Sequence, residues 1–93
     1  MYRVFLERAA EKDLKQLSAQ LHDRVIGAIQ KLARNPRPAG CRKLTGADRD
    51  WRIRIGEYRI VYEIDDKAQV VLVNRVRHRR EAYRGFAQKS DYS

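Results

Sequence analysis

The sequence predicts a single α+β domain over residues 1–93, in which a helical hairpin packs on one face of a small antiparallel-type sheet. Three observations predict this fold class. Apolar residues recur at three- and four-residue intervals between residues 9 and 33, as they do on amphipathic helices. Residues 51–64 and 69–77 read as strands separated by short turns. A chain of 93 residues fits one domain with one modest core.

The elements follow in the order β, α, α, β, β, β. Residues 2–6 alternate enough to form a first short strand. Ser18 is suited to cap a helix, so we interpret the apolar stripe as two helices that form a hairpin. Pro36 and Pro38 stop the second helix, because proline is incompatible with a continuing helix. A basic tail follows the last strand, and we expect it to form a short C-terminal helix near Tyr83.

The first hairpin of the sheet has its register set by Gly56-Glu57, a two-residue link suited to a type II′ turn. Arg54 then lies opposite Arg59, and Arg52 lies on the same face. The apolar side chains of both strands point the other way, toward the helices, and they are Ile53, Ile55, Tyr58, Ile60, Tyr62 and Ile64.

The second hairpin is predicted to pair with Ile64 opposite Val70. This register sets Arg75 opposite Arg59. Five arginines then converge at one end of one face, namely Arg52, Arg54, Arg59, Arg75 and Arg77. The other end of that face is predicted to be apolar and to consist of Phe5, Val61, Val71 and Val73.

The chain is strongly basic, with 21 Lys and Arg against 12 Asp and Glu and a formal net charge of +9. This charge favours a polyanionic partner, such as nucleic acid, an acidic protein or an anionic membrane. The membrane is disfavoured because no run of about 18 apolar residues occurs, and the charged start of the chain predicts a cytoplasmic protein without a targeting segment. Cys41 is the only cysteine and the chain has two histidines, so we expect no metal site and no cofactor.

Clustered arginines favour an anion site over a face that is merely solvated. Directly opposed like charges destabilise a sheet, so folding alone does not favour Arg54 opposite Arg59. Guanidinium groups match phosphate oxygens in a bidentate way, which points to an RNA or DNA backbone. We therefore predict that the face binds nucleic acid, with Arg52, Arg75, Arg77 and His78 as its RNA-binding residues.

RNA cleavage of the cyclising type needs no metal, because RNA supplies the 2′-hydroxyl nucleophile. It needs positive charge on the transition state, a base and an acid. Arginine supplies the charge but cannot act as the base. Tyr83 and His78 are the leading proton-transfer candidates, and Glu57 and Glu81 are the others. Each of the first two also has a structural interpretation: Tyr83 as a packing residue beside Phe86, and His78 as a surface residue.

The stretches "KLTG", "WRIRIGEYRIVYEI" and "VNRVRHRREAYR" together resemble the RelE toxin family of the RelE/ParE superfamily, the toxins of bacterial type II toxin-antitoxin pairs. The resemblance implies metal-independent endoribonuclease cleavage of mRNA in the ribosomal A site. Carried over by position, the family's site residues fall on Arg52, Arg54, Arg59, Arg79 and Tyr83. The best-known member has lysines at the first two positions, and lysine can share in proton transfer where arginine cannot.

The resemblance also implies partners. These are the ribosome with its mRNA, and a cognate antitoxin, RelB-like or another small protein, through which the pair could bind operator DNA. Two other functions share the same scaffold. A ParE-type toxin poisons DNA gyrase instead of cutting RNA, and a non-catalytic module would bind nucleic acid or a partner through its basic face. Cleaved mRNA, trapped DNA breaks or the absence of growth arrest distinguishes the three.

Overall fold

The computed structural model describes residues 1–44 and 50–80 of the chain. These residues form two helices and five strands, which confirms the predicted α+β class and the helical hairpin. The bounds are β1 Arg3–Leu6, α1 Arg8–Lys15, α2 Ala19–Lys31, β2 Arg42–Lys43, β3 Asp50–Ile55, β4 Tyr58–Asp65 and β5 Val70–His78. The predicted C-terminal helix near Tyr83 lies outside the described residues.

The five strands form one sheet in the order β1-β5-β4-β3-β2. β1 runs parallel to β5, and the other neighbours are antiparallel, so the sheet is mixed. A parallel pair needs a crossover connection, and the helices that follow β1 begin that crossover. β2 was not predicted, since two residues carry no periodic pattern.

The helical hairpin forms where the sequence predicts it. Ser18 caps α2, and its hydroxyl accepts a hydrogen bond from the Leu21 N–H at 3.3 Å. This bond satisfies one of the backbone donors that a helix start leaves without an intrahelical partner. α2 ends at Lys31, ahead of the two prolines.

The core lies between the helices and the helix-facing side of the sheet. The predicted inward residues of β3 and β4 are all there, because Ile53, Ile60, Tyr62 and Ile64 are buried and the other two pack against them. Tyr62 is completely buried, and its hydroxyl donates to the Pro36 carbonyl at 2.7 Å. Burial raises the pKa of Tyr62. The hydrogen bond to Pro36 holds the loop after α2 against the sheet.

The predicted register of the second hairpin is wrong by one residue next to the turn, where Ile64 pairs with Val71, and by two residues beyond Asn74, where Arg59 pairs with Arg77. A β-bulge at Asn74, which has no Cα partner on β4, adds the second residue of offset. Val71 and Val73 therefore point into the core, not onto the arginine-bearing face. A one-residue slip moves every side chain of a strand to the other face, which is why the error affects the whole first half of β5.

The bulge is held by contacts that are distant in sequence. The Asn74 side-chain nitrogen donates to Glu7 Oε1 and to Glu63 Oε2, both at 2.9 Å. Beyond the bulge, Asp13 of α1 accepts hydrogen bonds from the Val76 N–H at 2.9 Å and from Arg75. These groups fix the shifted register from both sides of the irregularity.

Candidate phosphate-binding site on the arginine face

Three arginines form a row across the three central strands of the sheet, near the β3–β4 turn. Arg54 on β3 pairs with Arg59 on β4, which pairs with Arg77 on β5. We call the face of the sheet that carries this row, turned away from the helices, the arginine face. Directly opposed side chains in a sheet lie about 4.5–5.5 Å apart at Cβ, so one phosphate group can be reached from all three strands.

Arg59, at the centre of the row, is buried, with 4% of its surface exposed. Arg54 is exposed and Arg77 is half-buried. Charges interact more strongly when they are withdrawn from water, because the effective dielectric constant falls. A central buried guanidinium between two more accessible ones is an arrangement that stabilises a multiply charged anion.

The next row of the arginine face has a valine between two arginines. Arg52 pairs with Val61, and Val61 pairs with Arg75. The guanidinium of Arg75 contacts Asp13 of α1, with Nε 2.9 Å from Oδ2 and Nη2 3.2 Å from Oδ1. The charge of Arg75 is therefore compensated by a carboxylate within the fold. Of the five arginines predicted to converge, the structure brings Arg54, Arg59 and Arg77 into one row and commits Arg75 to α1.

Arg79 follows the end of β5, at the same end of the sheet as the arginine row. Its backbone N–H donates to the Glu57 carbonyl at 2.7 Å and so continues the pairing beside the β3–β4 turn. Its guanidinium Nη1 lies 3.8 Å from Glu57 Oε2, and half of the side chain is exposed. This long, exposed ion pair is weak, and Arg79 remains able to exchange Glu57 for a phosphate.

His78 lies on the opposite side of the sheet from the arginine row. It pairs with Tyr58, and the two rings meet edge to face with centroids 5.4 Å apart. Tyr58 packs against the core, so this pair belongs to the helix-facing side. His78 Nδ1 accepts a hydrogen bond from the Arg80 N–H at 3.3 Å. The other proton-transfer candidates of the C-terminal segment, Tyr83 and Glu81, lie outside the described residues.

The far end of the arginine face is mixed where an apolar surface was predicted. Asp50 pairs with Glu63, which pairs with Leu72, which pairs with Phe5. Burial, and next the charge of Glu63, raise the pKa of Asp50. Phe5 is 47% exposed, and Val61 is buried between the two ends. The apolar patch thus exists, but Phe5, Val61 and Leu72 form it, and the bulge removes Val71 and Val73 from it.

A second basic surface was not predicted at all. A groove of about 780 Å³ lies between α2 and β3, and Arg24, Lys31 and Arg42 contribute to its walls. Arg24 and Lys31 are seven residues apart and share one side of α2. This spacing is visible in the sequence, but Arg42 comes from β2, a strand that the sequence does not indicate.

Within residues 1–44 and 50–80, no group of three or more His, Cys, Asp or Glu side chains lies close enough to hold a metal ion. Nor does any helix in this part of the chain have the length and apolar character needed to cross a membrane.

The comparisons with known proteins agree on one group. The family model described as ParE toxin of type II toxin-antitoxin system, parDE, matches residues 4–83. Toxin RelG of Mycobacterium tuberculosis is 34% identical to the chain over 87 residues, which cover 89% of this chain and 97% of RelG.

Solved structures of toxin-antitoxin complexes share the fold. The toxin-antitoxin complex RelBE2 from Mycobacterium tuberculosis contains a chain of 29% identity that superposes with a TM-score of 0.74, covering 83% of this chain and 96% of that one. The archaeal RelE-RelB complex from Pyrococcus horikoshii gives 26% identity and a TM-score of 0.76, with 84% and 94% of the two chains covered.

Proposed function

The chain belongs to the RelE/ParE superfamily of type II toxin-antitoxin toxins, and from this premise we propose that it is a metal-independent endoribonuclease. Its substrate is mRNA in the ribosomal A site, and its action inhibits translation. The observation that carries the proposal is the row of Arg54, Arg59 and Arg77. A gyrase-binding surface or a purely structural sheet has no need for three opposed cations, whereas a phosphate that gains charge during a reaction has one.

In the proposed reaction, the 2′-oxygen of the nucleotide before the cut attacks phosphorus, and the bond to the 5′-oxygen breaks. The phosphorane-like transition state carries more negative charge than the bound diester. Arg59 and Arg54 stabilise this extra charge, and Arg79 exchanges its weak contact with Glu57 for a phosphate oxygen. Arg52 and Arg77 hold neighbouring phosphates and fix the strand.

Proton transfer is the part that arginine cannot perform, because its pKa is too high. The 2′-hydroxyl must lose a proton and the 5′-oxygen must gain one. The position of His78 on the helix-facing side supports Tyr83 over His78 for this role. Cationic neighbours favour the phenolate form of a tyrosine, so the arginine face is a suitable environment for such a base.

We propose a RelB-like antitoxin as the partner that neutralises the chain. RelE-RelB complexes are among the solved structures that share its fold. The patch formed by Phe5, Val61 and Leu72 lies beside the arginine row, so a bound segment could bury the patch and cover the row together. The net charge of +9 favours both acidic antitoxin residues and ribosomal RNA. Because its proposed substrate lies in the ribosome, we propose that the chain acts in the cytoplasm.

The direct biochemical test uses ribosomes programmed with an mRNA whose A-site codon is defined. Purified chain should cut that mRNA within the codon in the presence of a chelator. We expect Arg59→Ala and Arg79→Ala each to slow the cut by about a hundredfold, since one lost contact to transition-state charge costs roughly 3 kcal/mol. Lys15→Ala, an exposed cation on α1, is the matched control and should cut normally. Full activity of both arginine variants would exclude the proposed site.

A ParE-type action on DNA gyrase is the second candidate, and the family model that matches the chain carries the ParE name. In that case growth arrest would be accompanied by DNA breaks and intact mRNA. Arg59→Ala and Arg79→Ala would then poison gyrase as well as the original chain does, because this function does not use a phosphate-cleaving site.

A further inference from the structure

The groove between α2 and β3 is a second surface, which shares only Arg52 and Arg54 with the proposed reaction site. It has a volume of about 780 Å³ and lies along the outer side of β3. Its lining comes from α2, from the loop before β2, from β2 and from β3.

The walls of the groove are cationic. Arg24 and Lys31 line the groove from α2, and Arg42 and Arg54 line it from the strands on the other side. No acidic side chain in residues 1–44 or 50–80 forms an ion pair with any of these four. Asp23 is the one acidic residue among the described lining residues, and its contact is with His22 at 3.8 Å. The groove therefore carries a positive charge that is complementary to an acidic ligand.

One side of the groove is a strand edge. β2 pairs with β3 at Arg52 and Trp51 and at no position beyond them toward the turn, so within the described chain residues 53–55 have no neighbour on that side. The Leu44 N–H donates to the Asp50 carbonyl at 2.9 Å, which shows that Asp50 directs its backbone groups away from β4. By the alternation of antiparallel ladders, Arg54 does the same. Its N–H and C=O thus point into the groove, in line with β2.

The floor of the groove is small and aliphatic. Gly27 and Ala28 line it from α2, and Ile53 and Ile55 line it from β3. A Cβ built on Gly27 would have no heavy atom within 4 Å, so this position leaves open space above the helix. At the far end, Arg24 reaches over the β3–β4 turn, with its guanidinium 3.8 Å from a Cβ built on Gly56. The groove is closed there by a positive charge.

We propose that this groove binds an acidic, extended segment of a protein partner, which adds to the sheet as a strand beside β3. The segment pairs with the backbone of Arg54, places small apolar side chains over Gly27 and Ala28, and directs carboxylates to Arg24, Lys31 and Arg42. This mode of recognition takes affinity from main-chain hydrogen bonds and specificity from alternate side chains. It does not depend on whether the chain cleaves RNA.

A protein strand fits these features better than RNA does. None of the described lining residues is aromatic, so the groove offers no platform on which a base could stack. The outward N–H and C=O of a strand edge are the pair of groups that another strand satisfies, and an exposed edge without a cover is a liability for a folded protein.

The test uses an octapeptide of alternating valine and glutamate with a fluorophore and blocked termini, at low salt. We expect binding by fluorescence anisotropy and, in amide NMR spectra, slower hydrogen exchange of the Arg54 N–H. The same peptide methylated at every backbone nitrogen keeps its charge but cannot pair, and it should bind about tenfold more weakly. Equal binding of the two peptides would overturn strand pairing.

Substitutions at Gly27 locate the site. Gly27→Leu fills the groove and also replaces a helix glycine by a better helix former, so it should fold normally and lose at least tenfold in peptide affinity. Gly27→Ala adds one methyl group in open space and should bind normally. Unchanged affinity of folded Gly27→Leu would show that the peptide binds elsewhere.

Charge reversal separates a specific groove from general attraction. Reversing Arg24 and Lys31 together to glutamate should weaken peptide binding at least tenfold. Reversing the exposed pair Lys12 and Lys15 of α1 changes the net charge equally and should have a much smaller effect. Equal effects of the two double variants, or tighter binding of octauridylate with protection of the Arg54 amide, would refute the proposal.

Discussion

Asp13 links α1 to β5 beyond the bulge, and its replacement by alanine tests how the shifted register is held. The carboxylate accepts from the Val76 N–H at 2.9 Å and from Arg75 Nε at 2.9 Å, and 15% of the side chain is exposed. This carboxylate therefore satisfies a backbone donor of β5 and an arginine side chain at once. If the account is correct, Asp13→Ala loosens the part of β5 that sets Arg77 opposite Arg59.

The magnitude follows from these contacts. A hydrogen bond from a backbone N–H to a largely buried carboxylate contributes about 1.5–3 kcal/mol. The partly exposed ion pair with Arg75, whose side chain is 40% exposed, adds about 0.5–1 kcal/mol. Alanine is the better helix former by about 0.5 kcal/mol. The expected net loss in the free energy of unfolding is therefore about 1.5–3.5 kcal/mol.

Urea unfolding followed by circular dichroism measures this loss, and the substitution should lower the Tm by about 6–28 °C for a domain of this size. Asp23→Ala is the matched control, since 88% of that side chain is exposed and its contact with His22 is long. It should change stability by less than about 0.5 kcal/mol. A loss below about 1 kcal/mol in Asp13→Ala would refute the idea that this carboxylate holds the register.

Three further predictions concern the cap, the pH dependence and the base. Ser18→Ala removes the side-chain acceptor at the start of α2 and should cost about 1 kcal/mol in urea unfolding. Hydrogen bonds, chiefly from Arg37, lower the pKa of Asp66 to about 2, below the unfolded value of about 3.9. This contribution to stability is present above about pH 4 and is lost as the pH falls through about 2, so acid titration of the unfolding free energy should show a smaller loss in Asp66→Asn. Tyr83→Phe should abolish most mRNA cleavage in the ribosome assay while His78→Ala keeps it, and the reverse result would reassign the base.

Local signals in the sequence predicted much of the fold. Ser18 at the start of an apolar periodicity located α2, and Gly56-Glu57 fixed the β3–β4 register residue by residue. The Gly56 φ of +59° is the left-handed conformation that this turn needs at its first position. Arg54 opposite Arg59 was therefore available from the sequence, since a turn and an alternation are enough to determine it.

The second half of the site depends on contacts that no local pattern reveals. The bulge at Asn74 is held by Glu7 and Glu63, which are 67 and 11 residues away in sequence. The register predicted from the sequence is one residue off at the turn and lacks the bulge, so it pairs Arg59 with Arg75, where the structure has Arg77. The prediction identified a cationic face correctly and assigned two of its members, Arg75 and Arg77, to the wrong rows.

The most direct test of the central claim is induced expression of the chain without an antitoxin, followed by primer extension on abundant mRNAs from the same culture. We expect growth arrest with cuts at fixed positions within translated codons, and loss of these cuts when translation initiation is blocked. Growth arrest with intact mRNAs would contradict it, and so would the same cuts in cells that express Arg59→Ala at equal levels.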